Sequence, residues 1–436
     1  MNKRLLALLS LLVIASMALA ACGTPAATEA PAAEETEAPA AEETEAPAEG
    51  GAFECTDAIG CVSIAPGDPI HIAYALTVSG ATASLGEDSK GAIEIAIADR
   101  GGELLGHPIE LSGEDTLCSA EGGQAAGTKI SADATIIGVV GTNCSGEARA
   151  AMPLISQAGM VMISPSNTNP DLTDPNHPDH HDGYFRTAHN DLFQGRVAAE
   201  FAYNELGVRK AATIHDGSPY AESLQRVFAE VFIELGGEVT AQEAINVGDT
   251  DMKPVLTSIA TGAPEIIYFP IFEPEGNLIA AQSREVAGLE TVLLMGADGL
   301  FADTFPEATG SAADGMYLSG PYVDVNDAAY GEFLAKWADQ IGGVPPSGFH
   351  AHAYDATNML LNGIEAVAVV DADGTVHVGR QALRDYLYGL SNYDGLTGNL
   401  TCNEYGDCAT GEALGVFKLS TEEVNGAWPP PVFWQP

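Results

Sequence analysis

Two short segments concentrate side chains that can hold a charged small molecule without carrying charge themselves. Gly141-Thr142-Asn143-Cys144-Ser145-Gly146 follows the apolar run Ile136 to Val140, and Ser164-Pro165-Ser166-Asn167-Thr168-Asn169-Pro170 follows Val161 to Ile163. Hydroxyls and backbone N–H groups there can donate to a carboxylate, each charge-assisted bond contributing about 1.5 to 3 kcal/mol. The competing reading is capping, since Ser145 and Thr168 also stand where a helix or turn would begin.

Other reactive residue types carry less. His177, His180 and His181 in Asn-His-Pro-Asp-His-His-Asp look like a metal loop. Spacing alone does not define a tetrahedral site, and the Pro-rich setting reads as an exposed loop, so no metal is expected. Cys144 as a nucleophile with His215 as its base would need a free thiol. The sequence holds no Walker lysine motif, no Gly-x-Gly-x-x-Gly after a strand and no Gly-x-Ser-x-Gly elbow. The expectation is a binding protein, neither an enzyme nor a carrier of a cofactor, and any energy for transport comes from other subunits.

Seven cysteines divide into Cys22 and six others. Cys55 and Cys61 bracket a short loop, as do Cys402 and Cys408, while Cys118 and Cys144 each follow a strand-like run. In an oxidising compartment these read as three disulfides, with zinc the alternative. No pair has the two-residue spacing of a zinc knuckle.

The N-terminus places the chain in that compartment. Lys3 and Arg4 precede an apolar run from Leu5 to Ala18, too short to span a bilayer, which ends in Leu19-Ala20-Ala21-Cys22-Gly23. This resembles the bacterial lipobox, which implies cleavage after residue 21 and acylation of Cys22, and so membrane attachment through lipid. Residues 22 to 51 then form an acidic Pro/Ala/Glu tether in which the segment at 28 to 35 recurs at 36 to 43. With glutamates repelling and little apolar surface to bury, it is expected to stay disordered. The formal charge of -44 excludes nucleic acid as a partner, because phosphate neutralisation needs a basic surface.

The remaining chain is long enough for two lobes. Strand-like runs at Ile70 to Leu76, Ile136 to Val140, Val161 to Ile163, Ala211 to His215, Ile266 to Phe269 and Val292 to Met295 alternate with helical patterns. Those helices are read at Glu87 to Asp99, Gly146 to Ala158, Leu192 to Glu205, Glu222 to Leu235 and Pro274 to Ala287. The alternation gives an α/β fold of two doubly wound, Rossmann-like lobes, in which ligands sit beyond the carboxyl ends of the strands.

Gly-Thr-Asn-Cys-Ser at 141 to 145, Met-Ile-Ser-Pro-Ser-Asn-Thr-Asn-Pro at 162 to 170, Tyr-Phe-Arg-Thr at 184 to 187 and His-Asp-Gly-Ser-Pro-Tyr at 215 to 220 resemble the leucine/isoleucine/valine-binding protein family. With Gly-Ala-Asp-Gly at 296 to 299, the resemblance covers residues 68 to 420. It implies a type I periplasmic-binding fold with three interlobe crossings: residues 52–189 and 319–415 in lobe 1, residues 190–318 and 416–436 in lobe 2. It implies an amino acid ligand, ABC permease subunits as partners, a monomer, and the Cys118–Cys144 bridge. Carried over by position, Ser145, Ser166 and Thr168 bind the ligand carboxylate, while Tyr220 and Asp298 contact the ammonium. Phe272 and Phe349 wall the pocket. Taken without the resemblance, Asp298 in Ala-Asp-Gly reads as a turn residue.

Asn143 and Ser166 depart from the family, standing where leucine binders place apolar side chains. Polar atoms there are costly to bury against an aliphatic ligand unless they find partners, which favours a polar amino acid or an amide. A sensor module on the same fold is the alternative to transport.

Overall fold

The computed structural model describes residues 53–409 and 413–436. Residues 1–52, with the expected signal, Cys22 and the tether, lie outside them. No helix among the described residues is long and apolar enough to cross a membrane.

Two sheets carry the fold. The first is built from β1 (Ile70–Leu76), β2 (Glu103–Leu104), β3 (His107–Asp115), β4 (Ile136–Gly141), β5 (Val161–Ser164) and β6 (Tyr184–Arg186), in the order β2-β3-β1-β4-β5-β6. All its pairings are parallel except the β2/β3 hairpin. β1 and β4 are buried almost along their whole length, and they read as unbroken apolar runs because helices cover both faces of a parallel sheet. The second is built from β7 (Lys210–His215), β8 (Glu238–Ala244), β9 (Ile266–Tyr268), β10 (Leu293–Gly296), β11 (Tyr317–Pro321), β12 (Leu414–Lys418) and β13 (Val432–Trp434). Its order is β13-β12-β11-β10-β9-β7-β8. β12 and β13 join antiparallel at one edge of a parallel run.

The chain passes between the sheets three times: after β6, after β11 and before β12. This is the expected type I periplasmic-binding architecture. β11 runs on to Pro321 and β12 begins at Leu414, so the second sheet takes in residues 319–321 and 414–415, which the sequence reading gave to lobe 1. Their mutual pairing, Tyr317 with Lys418 through Pro321 with Leu414, holds both strands in that sheet.

One apolar core lies around the second sheet, and two lie on the two faces of the first. On one of those faces the helices Ala120–Ala132 and Ser145–Gln157 approach closely. A Cβ at Gly123 would stand 2.5 Å from the Glu147 carbonyl oxygen, so glycine is required there. The close approach brings the loop after β3 to the start of the Ser145 helix, where Cys118 and Cys144 are bonded. Cys55–Cys61 and Cys402–Cys408 are bonded as well, so all three expected pairs are formed.

Candidate functional site

A narrow cavity lies between the lobes, lined by Leu85, Asn143, Ser145, Ser166, Tyr220, Phe272, Asp298, Gly299 and Phe349. Seven of the eight residues expected at the ligand site line it, and Thr168 does not. The lobes meet around the cavity, where Asn169 Nδ2 donates to the Pro219 carbonyl (2.6 Å) and Ser84 Oγ to Asp303 (3.0 Å).

On the first-lobe wall, Ser145 opens the helix Ser145–Gln157, whose N-terminal end carries a partial positive charge toward the cavity. Its hydroxyl accepts from Asn169 N at 3.3 Å, so its own proton stays available to a ligand. Thr168 is fully buried, and its hydroxyl has no partner among the described residues. Its carbonyl accepts from Asp191 N at 2.9 Å. Arg186, fully buried, stiffens this loop by donating to the carbonyls of Asn167 and Asn169 and to Thr173 Oγ1 while pairing with Asp407.

Asn143 and Ser166 have the partners that their burial requires. Asn143 Nδ2 donates to Leu85 O, Ser89 Oγ and Ser166 Oγ (3.3, 3.1 and 3.2 Å), its Oδ1 accepts from Thr77 N, and Ser166 Oγ donates to Asn143 O. They knit three loops together. Their polarity therefore gives no reason to prefer a polar ligand, which corrects the inference drawn from their types alone.

The second-lobe wall is anionic. Asp298 starts a short 3₁₀ turn directly after β10. Its Oδ1 accepts both from Gln194 Nε2 (2.6 Å) and from Tyr220 Oη (3.0 Å), which leaves Oδ2 as the oxygen free to meet a ligand. Gly299 N in turn donates to Tyr220 Oη at 3.0 Å. A Cβ at Gly299 would press on the Phe272 ring at 3.0 Å, so glycine lets that ring lie against the backbone. Tyr220 and Phe272 pack at 4.9 Å between centroids and form an aromatic wall facing Phe349. Burial raises the Asp298 pKa to about 6, against the lowering effect of its Gln194 and Tyr220 hydrogen bonds. At neutral pH it is mostly ionised, and no cation among the described residues contacts it.

Gln194, Leu85 and Gly299 were not foreseen. Gln194 reads as an ordinary polar position of a helix, and nothing local shows that its amide turns inward. Cys144, bonded to Cys118, has no thiol for nucleophilic chemistry. In the histidine loop His177 lies close to the carboxyls of Asp171 and Asp179, and Arg149 already pairs with Asp179. His180 turns to the Leu172 carbonyl and the Tyr405 ring.

Two α/β lobes joined by three crossings, with hydroxyls of one and a carboxylate of the other converging on a narrow cavity, define a bilobal small-molecule-binding protein. The family model for periplasmic binding proteins matches residues 69–409, and the chain belongs to that family. It is similar to the leucine-, isoleucine-, valine-, threonine-, and alanine-binding protein of Pseudomonas aeruginosa, at 29% identity over 78% of this chain and 87% of that one. Among solved structures, a leucine binding protein from Thermotoga maritima matches with a TM-score of 0.74 at 24% identity, over 84% of this chain and 99% of that one. A solute binding protein of an ABC transporter from R. palustris, in complex with benzoate, matches with a TM-score of 0.68 at 22% identity, over 81% and 93%.

Proposed function

We propose that this protein captures a small zwitterionic amino acid between its lobes and delivers it to an ABC importer. The observation that carries the reading is the polarity of the cavity. A helix N-terminus with the Ser145 hydroxyl forms one wall, and the free oxygen of Asp298 lies across from it. A ligand carboxylate matches the first and an ammonium the second, so one zwitterion bridges both lobes and favours closure. An aromatic acid such as benzoate would suit Tyr220, Phe272 and Phe349, but it would leave the Asp298 carboxylate buried without a counter-charge. The names of the relatives agree with an amino acid of the branched-chain type. Anchoring by lipid on Cys22 outside the cytoplasm belongs to the same proposal. A thermal-shift screen of leucine, isoleucine, valine, threonine, alanine and benzoate tests it. Stabilisation by at least one of the amino acids is expected, and stabilisation by benzoate alone would overturn the reading.

A further inference from the structure

His189 lies in the first crossing between the lobes, between β6 and the helix Asp191–Glu200, and it is buried. Its Nε2 stands 2.6 Å from Gln194 Oε1. Gln194 is also fully buried, and its Nε2 reaches Asp298 Oδ1 (2.6 Å), Ser319 O (3.1 Å) and Ser319 Oγ (3.2 Å). The hydrogen-bond roles along this line are fixed by chemistry. An ionised carboxylate only accepts, so the NH2 of Gln194 must face Asp298, and its oxygen then faces His189 and needs a donor. His189 therefore carries its proton on Nε2, and its Nδ1, which has no partner among the described residues, is the lone-pair nitrogen. Phe349, a wall of the ligand cavity, lies nearly parallel to the imidazole with ring centroids 6.4 Å apart.

We propose that His189 is a positioning residue of the ligand site: its Nε2–H orients the Gln194 carboxamide, which in turn holds Asp298 as an ionised partner for a ligand ammonium. The inference deepens the amino acid reading and rests on the role given there to Asp298. Without a donor at position 189, the buried Gln194 oxygen is stranded. The amide then gains by rotating, and rotation sets its oxygen against the Asp298 carboxylate and the Ser319 carbonyl. Asp298 loses a donor and takes up a proton more readily. The other titratable groups acting on Asp298 are Tyr220, Tyr268 and Asp191; those acting on His189 are Arg186 and His352. Burial lowers the His189 pKa to about 4, so the imidazole is neutral and its tautomer meaningful at pH 7.

The test is carbon NMR titration of the Asp298 carboxyl in the ligand-free protein, paired with calorimetry of L-leucine between pH 5 and 8. His189→Phe keeps an aromatic ring and removes the donor. It should raise the Asp298 midpoint by about one pH unit and weaken L-leucine binding about twofold at pH 7 and roughly ninefold at pH 5, the gap closing toward pH 8. His189→Gln restores a donor and should return both readouts toward wild type. Gln194→Leu should raise the Asp298 midpoint on its own, and adding His189→Phe to it should change nothing further, which keeps the proposal testable if His189→Phe alone folds poorly. An unchanged Asp298 midpoint in His189→Phe, or equal damage in His189→Gln and His189→Phe, would overturn the positioning role. If L-leucine fails to bind wild type while the Asp298 midpoint moves as expected, the relay stands and the amino acid reading falls.

Discussion

Asp298→Asn separates binding from stability, because the carboxylate serves one at the expense of the other. The substitution keeps Oδ1 as an acceptor for Gln194 and Tyr220 and replaces Oδ2, the oxygen left free in the cavity, with an amide NH2. A ligand ammonium would then meet a donor in place of an anion. Loss of one charge-assisted bond in a closed cleft is worth about 2 to 3 kcal/mol, a weakening of roughly 30- to 150-fold. Stability should move the other way. A carboxyl whose pKa is about 6 in the fold and 3.8 in the unfolded chain costs the fold about 3 kcal/mol once it is ionised in both states. The neutral amide removes most of that cost, so the ligand-free variant should melt above wild type at pH 7. The raised pKa fixes the sign of the pH dependence. The wild-type group favours folding below about pH 4, and that advantage is lost as pH rises through 6, so the difference between variant and wild type should shrink as pH falls from 7 to 4. Ammonium binding should likewise weaken below about pH 6 as Asp298 takes up its proton. Calorimetry of the best amino acid from the screen and scanning calorimetry of the free proteins check both halves. Affinity within threefold of wild type, or a lower melting temperature for Asp298→Asn, would refute the role given to this carboxylate.

Removing the Cys118–Cys144 bridge with Cys118→Ala and Cys144→Ala together should cost about 3.5 kcal/mol by loop entropy for a separation of 26 residues, read as a lower denaturation midpoint, and should weaken ligand binding because Ser145 adjoins the bridge. Arg186→Met leaves Asp407 largely buried without its partner and frees the carbonyls of Asn167 and Asn169. It should destabilise the protein by about 3 to 5 kcal/mol in denaturant melts. The lipid proposal expects the mature protein to partition into detergent, and expects Cys22→Ser to release it in soluble or uncleaved form; a cleaved Cys22→Ser protein that stays on the membrane would contradict it.

What the sequence disclosed follows the physical strength of each signal. β1 was legible over its full length, Ile70–Leu76, because a central parallel strand buried on both faces must be apolar throughout. β3, His107–Asp115, was read only as a strand-like run of no stated bounds before Cys118, and β8, Glu238–Ala244, went unread, because only part of each is buried and their polar residues obscure the strand period. The cavity residues were found through motifs in which the loop after a strand carries the ligand groups, as with Ser145 and Asp298. Their supports were hidden. Gln194 and His189 act through the direction of one amide and one ring nitrogen, and a hydrogen bond between a crossing and a helix leaves no periodic trace in the chain. The same limit hid the partners of Asn143 and Ser166, which line the cavity but have their polar groups satisfied by each other and by Thr77, Leu85 and Ser89.

The most direct measurement is a calorimetric comparison, on the wild-type protein at pH 7.5, of L-leucine with 4-methylpentanoic acid, which keeps the carboxylate and side chain and lacks only the amino group. The account predicts about micromolar binding of the amino acid, near 8 kcal/mol, and binding of the deaminated acid weaker by roughly thirtyfold or more. Equal or tighter binding of 4-methylpentanoic acid would contradict it, because Asp298 would then have no ammonium to meet.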